Sequence, residues 1–118
     1  CLRDFARFGQ FVLEGGVIDG VPVLPDGWME EAARPRHLAG GQALDYGFMW
    51  WPQPGPDGGF QDGAYRAGGI FGQYIYVNPA RRLVVAVNSA RSKPKGAEAI
   101  PDIDFFNAVA AAFAQGDR

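Results

Sequence analysis

The chain has 118 residues and a formal net charge of -2, with 47% hydrophobic and 20% charged residues. That balance excludes wholesale disorder, lacks the basic footprint of a nucleic-acid binder, and contains no apolar run near the ~20 residues that cross a bilayer. Seventeen glycines and nine prolines, roughly double average usage, imply short elements joined by many turns, while a single cysteine and a single histidine exclude an internal disulfide and argue against a structural zinc site; no cofactor is expected.

Residues 2–14 read as a helix. Leu2, Phe5, Ala6, Gly9, Val12 and Leu13 recur at helical spacing, Phe8 widens that face and Phe11 lies near its back, so burial on more than one side is expected. Gly15-Gly16 ends it, since glycine takes the left-handed conformation without steric cost. Residues 17–23 read as a hairpin turning at Asp19-Gly20. Asp26 is placed to cap a short helix through Trp28, Met29 and Ala33 that stops at Pro35. Residues 36–45 read as loop, and the aromatic run 46–51 as a strand. Pro52–Gly59 is a turn-rich connection. Three strand-like runs follow, at 64–70, 72–78 and 83–89. In the second, Tyr74 and Tyr76 alternate with Ile75 and Val77, a period of two. The reverse turn at 78–81 predicts antiparallel pairing of the last two runs. Asp102 is expected to cap a final helix with Phe106, Val109, Ala110 and Phe113 on one face. The fold class is α+β: an antiparallel sheet of three to four strands flanked by N- and C-terminal helices, treated as one unit over 1–118.

Nucleophilic chemistry has few residues to work with: no threonine, two serines (Ser89, Ser92) and two lysines (Lys93, Lys95). Ser92-Lys93-Pro94-Lys95 matches S-x-x-K, but it follows a strand and runs into Gly96 instead of opening a buried helix, so it reads as solvated loop. Tyr76-Val77-Asn78 lies inside a strand and comes in the wrong order to accompany it. His37 reads as a surface residue. Asp45, Asp57 and Asp62 lack calcium-loop spacing and read as turn residues. The segment Ala67–Gln73 stands apart. Its glycines suggest either tight local packing or the close approach of a ligand to bare backbone, whose N–H groups could face a developing oxyanion.

Four pieces, Leu2–Gly16, Val23–Ala32, Tyr46–Trp51 and Gly68–Ser89, together resemble the C-terminal part of the serine β-lactamase-like hydrolases. These include class C β-lactamases, penicillin-binding proteins and esterases; the stretch GIFGQYIYVNP most resembles the 6-aminohexanoate-dimer hydrolases. The resemblance implies a partial β-lactamase-like fold. It aligns Ala67-Gly68-Gly69 with the family's Lys-Thr-Gly or His-x-Gly triplet, so the usual cation or imidazole is missing. It makes the Ile70 backbone N–H one oxyanion donor and implies a small-molecule amide or ester as substrate. Gly68, Gly69, Phe71 and Trp50 are the expected substrate-binding residues; for the Trp50-Trp51 pair the alternative is one ring in the core and the other facing outward.

The family's S-x-x-K helix and its tyrosine precede the region resembled. A chain opening on Cys1 with a helix already in register reads as a C-terminal fragment of a larger domain, supplying the oxyanion side but not the nucleophile and inactive alone. A lipoprotein opening on the same cysteine would ordinarily place a tether before the fold. Neither bacterial cytoplasm nor periplasm is singled out. The alternative function is a non-catalytic binding or assembly module on the same half-fold, and under either reading an uncovered apolar surface would favour self-association.

Overall fold

The computed structural model describes residues 1–55, 57 and 59–116, with Asp62 and Gln115 described by backbone alone. Pro56 and Gly58 of the turn-rich connection, together with Asp117 and Arg118, lie outside the described residues. The elements in order are α1 (Leu2–Leu13), β1 (Val17–Ile18), β2 (Val21–Pro22), α2 (Trp28–Ala32), β3 (Arg36–His37), β4 (Ala43–Leu44), β5 (Trp51–Pro54), β6 (Phe60–Gly69), β7 (Gln73–Asn78), β8 (Leu83–Val87) and α3 (Asp102–Gly116). Strands β5-β6-β7-β8 form one antiparallel sheet in chain order, while β1-β2 and β3-β4 are separate hairpins. The expected α+β class, with an antiparallel sheet and terminal helices, is what the chain adopts.

The period-two alternation in β7 divides the core. Val77 and Ile75 join Tyr65 and Val84 on the face covered by α1 through Val12, with Met29 of α2 beside them. Tyr76 and Tyr74 join Ala64, Leu83 and Val85 on the opposite face, around Phe106 of α3. The register Tyr76↔Val85 and Val77↔Val84 carries the same division into β8, because successive strand residues point to opposite faces. Phe106 is fully buried, its ring stacked on Tyr76 at a centroid distance of 4.8 Å.

Helix α1 ends as its glycines dictate. Gly15 and Gly16 both have positive φ, and their N–H groups donate to Val12 and Phe11 carbonyls, satisfying acceptors the helix would otherwise leave open. The Asp19-Gly20 turn also has positive φ at both residues, the geometry a two-residue hairpin needs.

Several local expectations differ. Asp26 does not cap α2: Gly27, at φ 72, is the N-cap residue and no side chain caps it. Residues 36–45 are not plain loop, since β3 and β4 pair there. The strand expected over 46–51 begins only at Trp51. Before it, the Phe48 N–H donates to the Ala32 carbonyl at 2.8 Å and the Gly47 N–H to the Trp50 carbonyl at 2.7 Å, with Met49 at φ 67. These donors close a turn against the end of α2, so no ladder can use them. The strand instead runs into Pro52 and Pro54, which a sheet edge tolerates because no donor is required there. On α1, Gly9 and Val12 are buried while Leu2, Phe5 and Phe8 are 44%, 51% and 47% exposed. On α3, Phe113 is exposed although it shares the spacing of the buried Phe106 and Ala110.

Candidate active site

The Gly-rich segment forms the end of β6 and the turn to β7. Pairing with β5 stops at Trp51↔Arg66, whereas pairing with β7 continues to Gly69↔Gln73. Ala67, Gly68 and Gly69 therefore have β7 on one side and, among the described residues, no strand on the other. An open edge presents backbone N–H and C=O groups that can pair with an extended ligand. The glycines also have a packing reason: a Cβ on Gly68 would stand 3.2 Å from the Tyr74 ring, and one on Gly69 3.2 Å from Gln73 Cβ. Close packing against β7 and a bare outer edge thus arise from the same residues.

Ile70 follows at the first turn position, 57% exposed. Its N–H takes part in none of the turn and loop backbone bonds among the described residues. Phe71 is left-handed at φ 62 and Gly72 at φ 88. The Phe71 N–H donates to the Pro94 carbonyl at 3.1 Å, and its carbonyl accepts from the Arg91 N–H at 3.3 Å. Gly68, Gly69 and Ile70 share a cleft of about 420 Å³ with Trp51, Arg66 and Lys95. Of the residues expected at the site, the structure brings Gly68, Gly69 and Ile70 together and sets Phe71 beside them. Trp50 does not line this cleft: it packs edge-on to Tyr65 at 5.1 Å and stacks with Phe8 at 6.3 Å, in the core under α1.

The charged groups here carry no direct sequence signal. Arg66 Nη1 donates to Oε1 of the fully buried Gln53 at 3.0 Å, and burial draws its pKa below the ordinary arginine value. Arg91 forks onto Asp102 at 2.7 and 3.1 Å, and Tyr74 donates its hydroxyl to the same carboxylate at 2.7 Å. The Arg91 bond holds the Asp102 carboxyl below its usual range, while burial, then Asp102, pushes the Tyr74 phenol up. Its sequence position predicts that Asp102 caps α3; its side chain is committed to Arg91 and Tyr74 instead. Sequence could have indicated Trp51 and Arg66 as neighbours only once the β5-β6 register was known.

The other motifs are placed where they do little chemistry. Ser92-Lys93-Pro94-Lys95 is an exposed irregular loop. Tyr76 is fully buried, its hydroxyl donating to Gln61 Oε1 at 2.6 Å and accepting from Asn78 Nδ2 at 2.9 Å. His37 is exposed on β3. The Asp57 carboxylate accepts from the Gly59 N–H, ordinary turn chemistry; the Asp62 side chain lies outside the described residues. A separate cavity of about 350 Å³ lies between α1, α2 and the start of β6; its lining is largely apolar, with Glu30 and Arg34 as its charged members among the described residues.

Comparison with known proteins agrees with the resemblance. The model of the family described as Beta-lactamase matches residues 1–107. The 6-aminohexanoate-dimer hydrolase of Paenarthrobacter ureafaciens is 31% identical over 106 residues, covering 78% of this chain and 24% of that protein. A solved structure of a Bacillus anthracis protein, described as a candidate 6-aminohexanoate-dimer hydrolase, superposes with a TM-score of 0.71 at 24% identity, over 98% of this chain and 29% of that one; at that identity the likeness speaks to the fold. The chain spans about a quarter of the length of these relatives. By its match over residues 1–107, the chain belongs to the Beta-lactamase family of hydrolase-like domains.

Proposed function

We propose that this chain supplies the oxyanion-side strand of a serine hydrolase that cleaves an amide or ester through an acyl-enzyme. The observation that carries the reading is the open edge of Ala67–Gly69 leading into the Ile70 N–H. In acyl transfer, negative charge collects on the carbonyl oxygen as the nucleophile adds, and fixed N–H donors at that position lower the barrier. Ile70 provides one such donor; the N–H of the attacking serine provides the second. That serine belongs to sequence outside this chain. Ser89 follows β8, and Ser92 sits in an exposed loop; neither has a hydrogen-bonded base among the described residues, as an activated nucleophile requires. The triplet Ala67-Gly68-Gly69 lacks the cation of the usual β-lactam carboxylate clamp, so amide or ester substrates without that carboxylate fit better. The amide-cleaving name of the Paenarthrobacter relative supports this class.

The test uses a fluorophosphonate serine probe with p-nitrophenyl ester hydrolysis. The 118-residue chain alone should neither label nor turn over, whereas the protein extended through its upstream coding sequence should do both. Labelling of Ser89 or Ser92 with turnover by the chain alone would overturn the assignment. In the extended protein, Ile70→Ala keeps the donor and should retain activity, while Ile70→Pro removes it and should lower kcat by ~10²–10³. Equal kcat in the two variants, with native circular dichroism in both, rejects the oxyanion role.

A second reading, a non-catalytic assembly module, draws on the exposed row Leu2, Phe5 and Phe8. An upstream S-x-x-K helix decides for the hydrolase, and a start codon close to Cys1 decides for the module.

A further inference from the structure

The geometry points to Arg91 and Asp102 as positioning residues that hold the oxyanion turn through the strap 89–96, an assignment that rests on the reading of Ile70 above. The Ile70 N–H is bracketed on its two sides by different restraints. Behind it, the Gly69↔Gln73 pair anchors the strand end. Ahead of it, among the described residues, the turn and loop backbone bonds of Phe71 are the two to the strap, from its N–H to Pro94 O and from Arg91 N–H to its carbonyl. Phe71 needs them, because a bulky residue at φ 62 occupies a region that non-glycine residues hold only when their surroundings impose it.

The strap has no helix or strand of its own. It touches the turn closely: a Cβ on Gly72 would fall 2.6 Å from Arg91 Nε and 2.8 Å from Ser89 Cβ. Gln73 Nε2 also donates to the Ser89 carbonyl at 2.7 Å. The strap in turn is tied to the body of the fold by Arg91. Its fork onto Asp102 is bidentate, which fixes orientation as well as distance, and both side chains are four-fifths buried or nearly so. Glu98 lies 3.8 Å from the same guanidinium. Asp102 opens α3, whose seat on the sheet is set by Phe106 one turn later, and the Tyr74 hydroxyl on Asp102 ties it back to the strand opposite Gly68. The restraints form a closed circuit from Gly68 through Tyr74, Asp102 and Arg91 to Phe71 and Ile70. Neither charged residue need touch the reacting atoms; each acts through the turn.

The experiment has two arms. In the 118-residue chain, amide hydrogen exchange is read by NMR for wild type, Asp102→Asn and Arg91→Lys. The Phe71 amide should lose protection at least ~10-fold in Asp102→Asn and less in Arg91→Lys, which keeps the charge but loses the fork, while Tyr76 and Val77 amides stay unchanged. In the extended protein, the same variants should lower kcat ~10- to 100-fold with KM within about twofold, as expected when a donor is misplaced and binding is not. Unchanged Phe71 exchange in both variants overturns the strap, and faster exchange with unchanged kcat overturns its positioning role. Ile70→Pro serves as the control: if it leaves kcat intact, the oxyanion reading fails by itself, whatever the exchange data show.

Discussion

Gly9→Ala tests how α1 lies on the sheet. Alanine is the better helix former by ~1 kcal/mol, so propensity alone predicts stabilisation. The packing predicts the reverse. A Cβ at residue 9 would stand 3.0 Å from Ile75 Cγ2 and nearer still to Val84 Cγ1, against an ordinary carbon–carbon contact of ~3.5–4.0 Å. Both neighbours are β-branched and restricted at χ1, so they cannot swing aside; the helix must lift by roughly 0.5–1 Å and loosen Val12 beside it. Overpacking of this kind costs ~1–3 kcal/mol. Set against the propensity gain, the expected net loss is about 0–2 kcal/mol, up to roughly 10 °C in Tm for a domain of this size. Thermal and urea unfolding of Gly9→Ala, Val84→Ala and the double variant should show strong coupling, because Val84→Ala removes the nearest methyl group and lets the helical gain of alanine emerge. A rise in Tm for Gly9→Ala alone, or additivity within ~0.5 kcal/mol, would refute the close-approach argument.

Phe106→Ala should cost ~3–5 kcal/mol, because the ring is fully buried between Tyr76, Tyr74 and Phe105; a urea midpoint within error of wild type would mean α3 does not dock as described. Asp102 and Glu31 both have carboxyls held below their ordinary values of 3.8 and 4.5, first by hydrogen bonds from Arg91 and Arg36 respectively. A lowered folded pKa means their stabilisation is complete above those values and is lost as pH falls through the folded ones. Asp102→Asn should therefore flatten the fall in stability below about pH 4, and an unaltered acid limb would count against the pair. The chain alone should self-associate through Leu2, Phe5 and Phe8, and Phe5→Ser with Phe8→Ser should shift sedimentation toward monomer; a clean monomer for the wild-type chain at high concentration contradicts this.

Much of the fold was legible because its determinants are local. The Tyr/Ile/Tyr/Val alternation assigned β7 two faces, and these became the two halves of the core. Gly15-Gly16 and Asp19-Gly20 marked a helix end and a hairpin because left-handed backbone favours glycine. The misreadings share a cause. The aromatic content of 46–51 predicts a strand through Gly47 and Phe48, but the Ala32 carbonyl, sixteen residues earlier in the chain, takes the Phe48 N–H. Asp26 and Asp102 carry the side chains of N-caps, yet one is displaced by a left-handed Gly27 and the other is claimed by Arg91 and Tyr74.

The same division holds at the candidate site. The sequence by itself determined the family, through ordered motifs, and the bare glycine segment that ends at Ile70. Only the tertiary structure decided that β5 stops pairing at Arg66, that Trp51 rather than Trp50 lines the cleft, and that Arg91 meets Asp102 across a loop. Backbone conformation near a glycine is set by local sterics and can be read one residue at a time. Strand register, an open edge and an ion pair between a loop and a helix exist only after distant segments have packed, and no spacing along the chain encodes them.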